Sequence, residues 1–229
     1  MALSITFHVL LCFAVATTNA KNCPNLGTAS QFTVIAASSV SSTGSTVING
    51  NVAMSPSIAL TGFYPFGSIS GFTTLGTDIA LQAQKDVASA YNYLKHAKPT
   101  AQMTGVDLTG KTLAPGVYKF NSAAGIDTPA GVLTLSGAGT YIFQVGSALK
   151  TSTGSKIQLI NGAKAGCVFW QIGSSATLGL SSHFVGNILA YASVKFSNGI
   201  IYDGSIYAQT AAVSFIADIV TPQESCDMC

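Results

Sequence analysis

Side chains that could act as acids, bases or nucleophiles are few in this chain. Beyond residue 20 it has two histidines, His96 and His183, and the carboxylates Asp203 and Asp218 stand isolated in the sequence. Glycoside cleavage would need two carboxylates flanking the sugar bond, and no such pair is visible. Neither metal-ligand spacing nor a phosphate-binding loop occurs. These residues therefore favour structural roles, and we expect no enzyme, no metal site and no cofactor.

The N-terminal segment has the features of a secretory signal. A short, mostly apolar run from Leu3 to Ala16 precedes the small-residue cleavage site Thr18-Asn19-Ala20, although the charged segment that usually begins such signals is missing. We predict a signal peptide at residues 1–20 and a single secreted, extracellular domain at residues 21–229.

Four cysteines belong to that mature chain, Cys23, Cys167, Cys226 and Cys229. Outside the cell we expect them to be oxidised, and the sequence leaves all three possible pairings open. Cys226 and Cys229 have the spacing of a redox CxxC motif, but no thioredoxin-like strand and helix surround them. A disulfide clip near the C-terminus is the favoured interpretation.

The composition limits the kind of partner. Charged residues make up 8% of the chain, against roughly 25% in ordinary soluble domains. Arginine is absent, and the scattered lysines give a net charge of only +2, which argues against nucleic acid as a partner. No apolar run after the leader is long enough to span a membrane. The neutral surface that remains suits an uncharged partner, a repeat scaffold or a glycosylated protein, although the sequence has no Asn-x-Ser/Thr acceptor.

A short repeat organises the last third of the chain. Trp170, Ile188 and Ile206 recur at a constant spacing of 18 in the sequence numbering, and a fixed short period in strand-like sequence indicates stacked units. Three short strands and tight corners fit into one such period. We therefore predict a mainly β fold, a right-handed β-solenoid of triangular section. Its corners would fall at glycines, which accept positive φ: Gly173, Gly179, Gly186, Gly199 and Gly204.

The repeat is imperfect at both ends. Residues 144–150 match residues 171–177 at a spacing of 27, which indicates an insertion in that coil, and the last copy slips by one residue at Ala211-Ala212 before Val213. Trp170 points inward by strand parity, so it is predicted to belong to the core.

One helix is predicted, after a Gly/Ser/Thr-rich loop at residues 67–76. Thr77 is the expected N-cap, Asp78 suits the first turn, and Pro99 ends the helix. Its apolar stripe is Ile79, Ala83, Val87, Ala90, Tyr91 and Leu94. The stripe must be buried, and we expect it to dock where strand parity turns mostly apolar side chains outward, at Phe169, Gln171, Leu189 and Tyr207.

Several segments together resemble a known family, the type-1 ice-binding proteins, which are secreted by cold-adapted fungi, algae and bacteria. The resemblance covers essentially the whole mature chain, and the segments that carry it are FTVIAAS (32–38), IALTGF (58–63), LAPGVY (113–118), LINGA (159–163), VFWQIGSSATLG (168–179), SHFVGNILA (182–190) and AQTAAV (208–213). It implies a discontinuous β-solenoid, with coils stacked out of chain order and one long helix packed alongside. The stretch between Phe63 and the helix is short for the family.

The resemblance also implies an ice-binding surface on the flat solenoid face that lies away from the helix. Matching by sequence, its central column would be Lys150, Thr177, Lys195 and Ser214, with Thr61 and Gly125 at further positions. The flanking columns would be Ala148, Ser175, Ser193 and Ala212 on one side and Ser152, Gly179 and Ser197 on the other.

Two observations limit what these residue types indicate about function. Ser and Thr cover any exposed solenoid face, so no single position by itself indicates ice binding. Lys150 and Lys195 would interrupt a flat face, so either activity is modest, or their charged ends lie to one side, or the predicted register is wrong by one residue.

The function that the resemblance implies is adsorption to ice, with thermal hysteresis and inhibition of ice recrystallisation. The expected partner is the ice crystal surface, the expected state is a monomer, and neither nucleic acid nor membrane is expected as a partner. The alternative is a cell-surface or matrix adhesion module that has the same fold and no affinity for ice.

Overall fold

The computed structural model describes residues 23–226, so the predicted leader at residues 1–20 and Cys229 lie outside the described residues. Short strands alternate with tight corners along the chain. In order they are β1 (Val34–Ala36), β2 (Val40–Thr43), β3 (Val47–Ile48), β4 (Val52–Met54), β5 (Leu60–Thr61), β6 (Ser68–Ile69), β7 (Thr73–Leu75), β8 (Ala101–Gln102), β9 (Thr112–Leu113), β10 (Gly116–Phe120), β11 (Ala124–Ile126), β12 (Val132–Ser136), β13 (Tyr141–Val145), β14 (Leu149–Thr151), β15 (Lys156–Ile160), β16 (Val168–Ile172), β17 (Ala176–Leu178), β18 (His183–Val185), β19 (Asn187–Ala190), β20 (Val194–Phe196), β21 (Ile201–Asp203), β22 (Ile206–Ala208), β23 (Val213–Ile216) and β24 (Ile219–Thr221). Helix α1 (Asp78–His96) lies between β7 and β8, and 3-10 turns occupy Gly27–Gln31 and Ala165–Cys167.

The strands form three parallel sheets, as a β-solenoid of triangular section requires. The helix-side sheet has the order β7-β4-β1-β22-β19-β16-β13-β10-β8, and helix α1 packs on its outer surface. The open sheet has the order β11-β14-β17-β20-β23-β2-β5, and the third sheet has the order β6-β3-β24-β21-β18-β15-β12-β9. The predicted mainly β solenoid with one helix alongside is confirmed.

The coils do not stack in chain order, as the resemblance implied. The strands β1 to β7 build one end of the solenoid, and helix α1 then carries the chain to the other end, where β8 begins. Its 19 residues span about 28 Å at 1.5 Å per residue. From there the coils stack one after another until β22, β23 and β24 meet the first strands of the chain.

The strand register confirms the repeat. Trp170 pairs with Ile188 and Ile188 pairs with Ile206, at the predicted spacing. The longer coil, with a spacing of 27, is also present, because Lys156 pairs with His183. The next pair, Phe169 with Asn187, is again 18 apart. The nine extra residues (27 − 18) therefore lie between β15 and β16.

The interior is a stack of in-register side chains. The rings of Phe143 and Trp170 lie 3.9 Å apart between centroids at an interplanar angle of 10°, and Phe184 continues the stack to Tyr202. Trp170 is fully buried, as predicted, and its indole N–H donates to the carbonyl oxygen of Val185 at 3.0 Å. Its one polar group is therefore satisfied inside an apolar core.

The five predicted corner glycines divide into two kinds. Gly186, Gly199 and Gly204 have positive φ, as expected for tight corners. Gly173 and Gly179 do not, but a Cβ at either position would collide with the backbone of the neighbouring coil. At these two sites glycine is required by the close approach of stacked coils.

Helix α1 docks on the predicted side. Thr77 caps it by accepting a hydrogen bond from the Ala80 N–H at 3.3 Å, and at the far end the Gln144 amide donates to the carbonyl oxygens of Leu94 and Ala97, both at 2.7 Å. The prediction that Ile79 is part of the buried stripe was wrong: Ile79 is exposed, and the next residue along the chain is buried in its place. The cluster between helix and sheet includes the side chains Phe169, Leu189 and Tyr207.

The interpretation of residues 67–76 as a loop was also wrong. This stretch contains β6 and β7, which pair with β3 and β4 and complete a terminal coil. Strands of two or three residues separated by Gly and Ser have too little alternation to be distinguished from a loop in the sequence.

A disulfide joins Cys167, beside the insertion, to Cys226, as the favoured C-terminal clip requires. Cys23 is disulfide-bonded as well. The Cys167–Cys226 bond belongs to one of the three pairings that the sequence left open. It links the last described residue to the corner before β16.

Replacing Cys167 and Cys226 together with serine should lower the free energy of unfolding. The bond closes a loop with a sequence separation of 59 residues, and loop-closure entropy puts the loss at about 4 kcal/mol. Urea unfolding followed by the fluorescence of Trp170 measures the change. Reduced wild type, which also loses the bond of Cys23, should be no more stable than the double variant. A double variant as stable as oxidised wild type would contradict the prediction.

Candidate functional site

The outer surface of the open sheet carries a central column of side chains that the strand register aligns. One further column lies on each side of it, two residues away along each strand. Strand pairing aligns, in spatial order, Gly125, Lys150, Thr177, Lys195, Ser214, Ser41 and Thr61. The residues on either side of each column member point into the core, since strand side chains alternate. Seven strands at about 4.8 Å spacing make a surface about 29 Å long. We refer to this column and its two flanking columns as the open face.

The sequence-based column lacked one member, Ser41. It lies between Ser214 and Thr61 because β2 is inserted between β23 and β5. The dipeptide Val40-Ser41 has the same residues as Val213-Ser214, and this was the available signal. The order of the coils hid it, since the two dipeptides are far apart in the chain.

The first flanking column consists of alanine and serine. Backbone hydrogen bonds connect its residues from strand to strand, and the Ser175 and Ser193 hydroxyls lie 3.0 Å apart within hydrogen-bond distance. The structure extends the predicted column by two residues at the end near β5, so that it comprises Ala148, Ser175, Ser193, Ala212, Ser39 and Ala59. All of them are short, which keeps this side of the open face flat.

The second flanking column is less regular. The Ser152 hydroxyl donates to the Asp127 carbonyl oxygen at 2.7 Å, and the Gly179 N–H donates to the Thr151 hydroxyl at 2.9 Å. Ser197 is half-buried at the same edge. The edge ends in a pair that the sequence-based columns did not include, exposed Ile216 beside exposed Thr43.

Gly125 occupies the predicted column but contributes little exposed surface. It is buried, and a Cβ there would collide with the Asp127 carboxylate. The usable part of the central column therefore begins at Lys150.

Lys150 and Lys195 lie on either side of Thr177 in the same column, and all three are exposed. Two strand spacings separate the lysines, or about 10 Å. The pairing agrees with the predicted register, so a one-residue error does not explain the lysines. Two long ammonium side chains rise from a surface that is otherwise made of short side chains.

Comparison with known proteins assigns this architecture to a family. The sequence model described as "Ice-binding-like" matches residues 34–221, which contain all the strands of the solenoid. The chain belongs to the ice-binding-like family.

Two relatives and one solved structure are similar over most of their length. An ice-binding protein of Nostoc sp. (strain HG1) is 44% identical over 194 residues, which cover 82% of this chain and 70% of that protein. An ice-binding protein of Flavobacterium frigoris (strain PS1) is 32% identical over 87% of this chain and 76% of its own. The crystal structure of an ice-binding protein from the Antarctic ascomycete Antarctomyces psychrotrophicus superposes with a TM-score of 0.83 at 38% identity and covers 89% of this chain and 100% of that chain.

One acid–base pair does form on the third sheet, contrary to the expectation that Asp203 is isolated. The His183 Nε2–H donates to the Asp203 carboxylate at 2.7 Å, and both side chains are about one-third exposed. His183 pairs with Ile201, so Asp203 lies two residues further along the neighbouring strand, on the same outer surface. Gln223 donates to the other carboxylate oxygen at 3.4 Å. The pair lies on a different face of the solenoid from the open face.

Asp218 is buried in the corner between β23 and β24. Its carboxylate accepts from the Ile200 N–H at 2.8 Å and from the Ile216 N–H at 2.6 Å. Burial raises the pKa of Asp218 to about 6, although these two hydrogen bonds act in the opposite direction. The carboxylate therefore satisfies backbone groups of two coils and is inaccessible to a substrate.

The part of the chain that the structure describes holds no group of three His, Cys, Asp or Glu side chains arranged to bind a metal ion. Within residues 23–226, no helix combines the length and apolar character needed to cross a membrane. His96 is exposed, and its Nδ1 lies 2.7 Å from the Asn92 carbonyl oxygen within the last turn of α1, a structural position as predicted.

The raised pKa of Asp218 predicts that stability depends on pH between about 4 and 6. The folded chain holds this proton more tightly than the unfolded chain, whose aspartate pKa is 3.8. The contribution is therefore complete below pH 3.8 and is lost as the pH rises through 6, by an amount on the order of 3 kcal/mol. Urea unfolding at both ends of this range should show that wild type loses stability relative to Asp218→Asn as the pH rises. The same pH dependence in both proteins would contradict the assignment.

Proposed function

We propose that this chain is a secreted antifreeze protein of the type-1 ice-binding group and that it adsorbs to ice through the open face. The observation that carries the proposal is the in-register column of the open sheet, flanked by short Ser, Ala and Gly side chains on rigid parallel strands. Adsorption is expected to work outside the cell, after removal of the predicted leader.

Short side chains on a sheet suit ice for three physical reasons. The strands repeat at about 4.8 Å, which is close to repeat distances in the ice lattice. Serine and threonine have few rotamers to immobilise, and their hydroxyls can hold ordered water against the crystal. Ice carries no charge, and only 8% of this chain is charged. Attraction between charges is therefore not needed for binding.

Each part of the open face has a distinct role in this proposal. Thr177, Ser41 and Thr61 present hydroxyl groups along the central column, and the two threonines add methyl groups. The hydroxyls of Ser175 and Ser193 fix one another in the first flanking column, which reduces the freedom lost on adsorption. Ile216 extends the apolar part of the surface at the opposite edge.

Adsorption alone accounts for antifreeze activity, so no covalent step is required. Molecules fixed to the crystal force the growth front to advance between them, and the front becomes curved. A curved front melts at a lower temperature than a flat one, so growth stops below the melting point and small crystals do not recrystallise into larger ones.

The two lysines act against this mechanism. An ammonium group is strongly hydrated and extends beyond its neighbours, so Lys150 and Lys195 should keep part of the open face away from a flat crystal surface. We therefore propose an activity below what the same face would have without them.

The alternative is a surface or matrix adhesion module on the same fold without ice affinity. It would use the neutral surface for another uncharged partner. The family membership favours ice, and the two functions separate in the experiment below.

Replacing Thr177 or Ser214 with Tyr should abolish ice adsorption. A tyrosine ring rises above the plane of short side chains and removes the contact of the central column with a flat crystal. Ice growth in a nanolitre osmometer measures the gap between the melting and freezing temperatures, and crystal shape reports adsorption directly.

Gln158→Tyr is the matched control, because Gln158 is an exposed strand residue of the third sheet. It should retain wild-type hysteresis. Full activity in both Thr177→Tyr and Ser214→Tyr would remove the open face as the binding surface. A folded wild type with neither hysteresis nor crystal shaping would leave the adhesion alternative.

Replacing Lys150 and Lys195 together with threonine should increase thermal hysteresis, since the central column then becomes continuous from Lys150 to Thr61 in short side chains. The same osmometer measures the gain. Lys156→Thr removes one charge from the third sheet and should leave hysteresis unchanged. If the double variant is no more active than wild type, the lysines do not limit contact with ice.

A further inference from the structure

The two ends of the solenoid differ in how the core is covered. At the end where α1 delivers the chain, residues 103–111 fold over the edge of β11. The Leu108 N–H donates to the Gly125 carbonyl oxygen at 2.9 Å, and the Leu108 side chain is fully buried. Asp107 accepts from the Thr109 and Asp127 N–H groups. This loop is a polar cap over the core.

The other end has no comparable cover among the described residues. The strands β5, β6 and β7 are the last of the open, third and helix-side sheets, so each leaves one edge without a strand partner. The core residues of this coil are only half-buried, unlike those of the coils behind them: Leu60, Phe63, Ile69 and Leu75. The interior stack therefore ends in an open cross-section.

Large apolar side chains surround this cross-section at all three corners. Ile58, between β4 and β5, is 66% exposed, and Phe72, between β6 and β7, is 56% exposed. Between β5 and β6, Tyr64 is 94% and Phe66 76% exposed. We call the edges of β5, β6 and β7 together with these four side chains the bare end.

No charge protects the bare end. The sequence has no Lys, Arg, Asp, Glu or His from Asn22 to Thr77, a stretch that contains all the strands from β1 to β7. Natural proteins protect open strand edges with charged residues, proline or very short edge strands, and repeat folds end in capping units with a polar outer surface. The edges of β5, β6 and β7 are short, but neither charge nor a polar cap covers them. The opposite end follows that rule with Lys98, Asp107 and Lys111.

From this asymmetry we infer that the bare end is an interface with a second copy of this chain. Three unpaired strand edges form a triangle, and a partner that pairs with all of them must present the same triangle. A second copy does so by construction. In a contact of identical patches about a two-fold axis, facing edges run antiparallel, and the apolar corners of one copy cover the core of the other. The patch itself holds no charged side chain, and the first one after it in the sequence is Asp78, at the start of α1.

This inference is independent of ice binding, because the open face and the bare end are different surfaces. It departs from the expected monomer, which rested on the neutral surface of the chain and on the family resemblance. The uncharged segment, residues 22–77, lies at one end of the solenoid, and the strand edges at that end are unpaired.

Light scattering coupled to size exclusion tests the inference on the full chain expressed in a secreting host and purified from the medium. Across a micromolar concentration series we expect a mass twice that of one chain, with no larger species, because a two-fold contact closes on itself. Replacing Tyr64 and Phe66 together with lysine brings like charges face to face and should raise the dissociation constant at least about 100-fold.

Tyr191→Lys is the matched control, since Tyr191 is an exposed aromatic residue (52%) next to β19, away from the bare end. It should remain dimeric. Melting curves and crystal shaping of all three proteins establish that each is folded, and the lysine pair should still shape ice if the open face acts alone. Hydrogen exchange should show the amides of β5, β6 and β7 better protected in the wild-type dimer than in the lysine variant.

Three outcomes would overturn the inference. Wild type could remain at the mass of one chain throughout the series. A dimer could form that ignores the Tyr64 and Phe66 substitutions, which would place the contact elsewhere. The bare end could be protected from exchange in a monomer whose measured mass still includes the leader, in which case the chain covers its own end.

Discussion

Stacking of in-register side chains inside the solenoid is the constraint on which the rest of the structure depends. Phe143, Trp170 and Ile188 can lie above one another only if their strands pair without slipping. A slip of one residue would exchange inward and outward side chains along a whole strand. The same register that fills the core therefore aligns Lys150, Thr177 and Lys195 on the outside. The backbone of the open face is ordered by the core, and contacts such as that between the Ser175 and Ser193 hydroxyls only refine it.

Much of the fold could be predicted from the sequence because stacked coils produce a periodic sequence. The constant spacing around Trp170, the inward orientation of its ring and the side on which α1 docks all follow from parity and repeat length, and the structure confirms them. The helix was predictable from its cap and stripe, except that Ile79 faces solvent. Repeat analysis succeeds here because neighbouring coils interact with one another more than with the rest of the chain.

What could not be predicted depends on contacts between distant parts of the chain. Ser41 joins the central column only because β2 is inserted between β23 and β5, and no local pattern indicates such an insertion. The terminal coil was interpreted as a loop because its strands are too short to alternate. The pair of His183 and Asp203 was within reach: one coil separates them, and parity places both on the outer surface. The columns themselves came from a family resemblance, since Ser and Thr on an exposed strand do not identify a partner.

A neutral surface suits binding to uncharged ice but leaves the protein prone to self-association in solution. Repulsion between like-charged molecules keeps most proteins apart in solution, and this chain has little net charge to provide it, +2 in 229 residues. Its charges are also unevenly placed, since residues 22–77 have none. In that setting Lys150 and Lys195 have two opposed effects. They disturb the plane of the open face, and they also put like charges there, which opposes face-to-face stacking of two copies. Association is then left to the bare end, where there are no charges to oppose it. Lys150 and Lys195 thus weaken contact with the ice crystal, but they also keep the open face free of a second copy and available to the crystal.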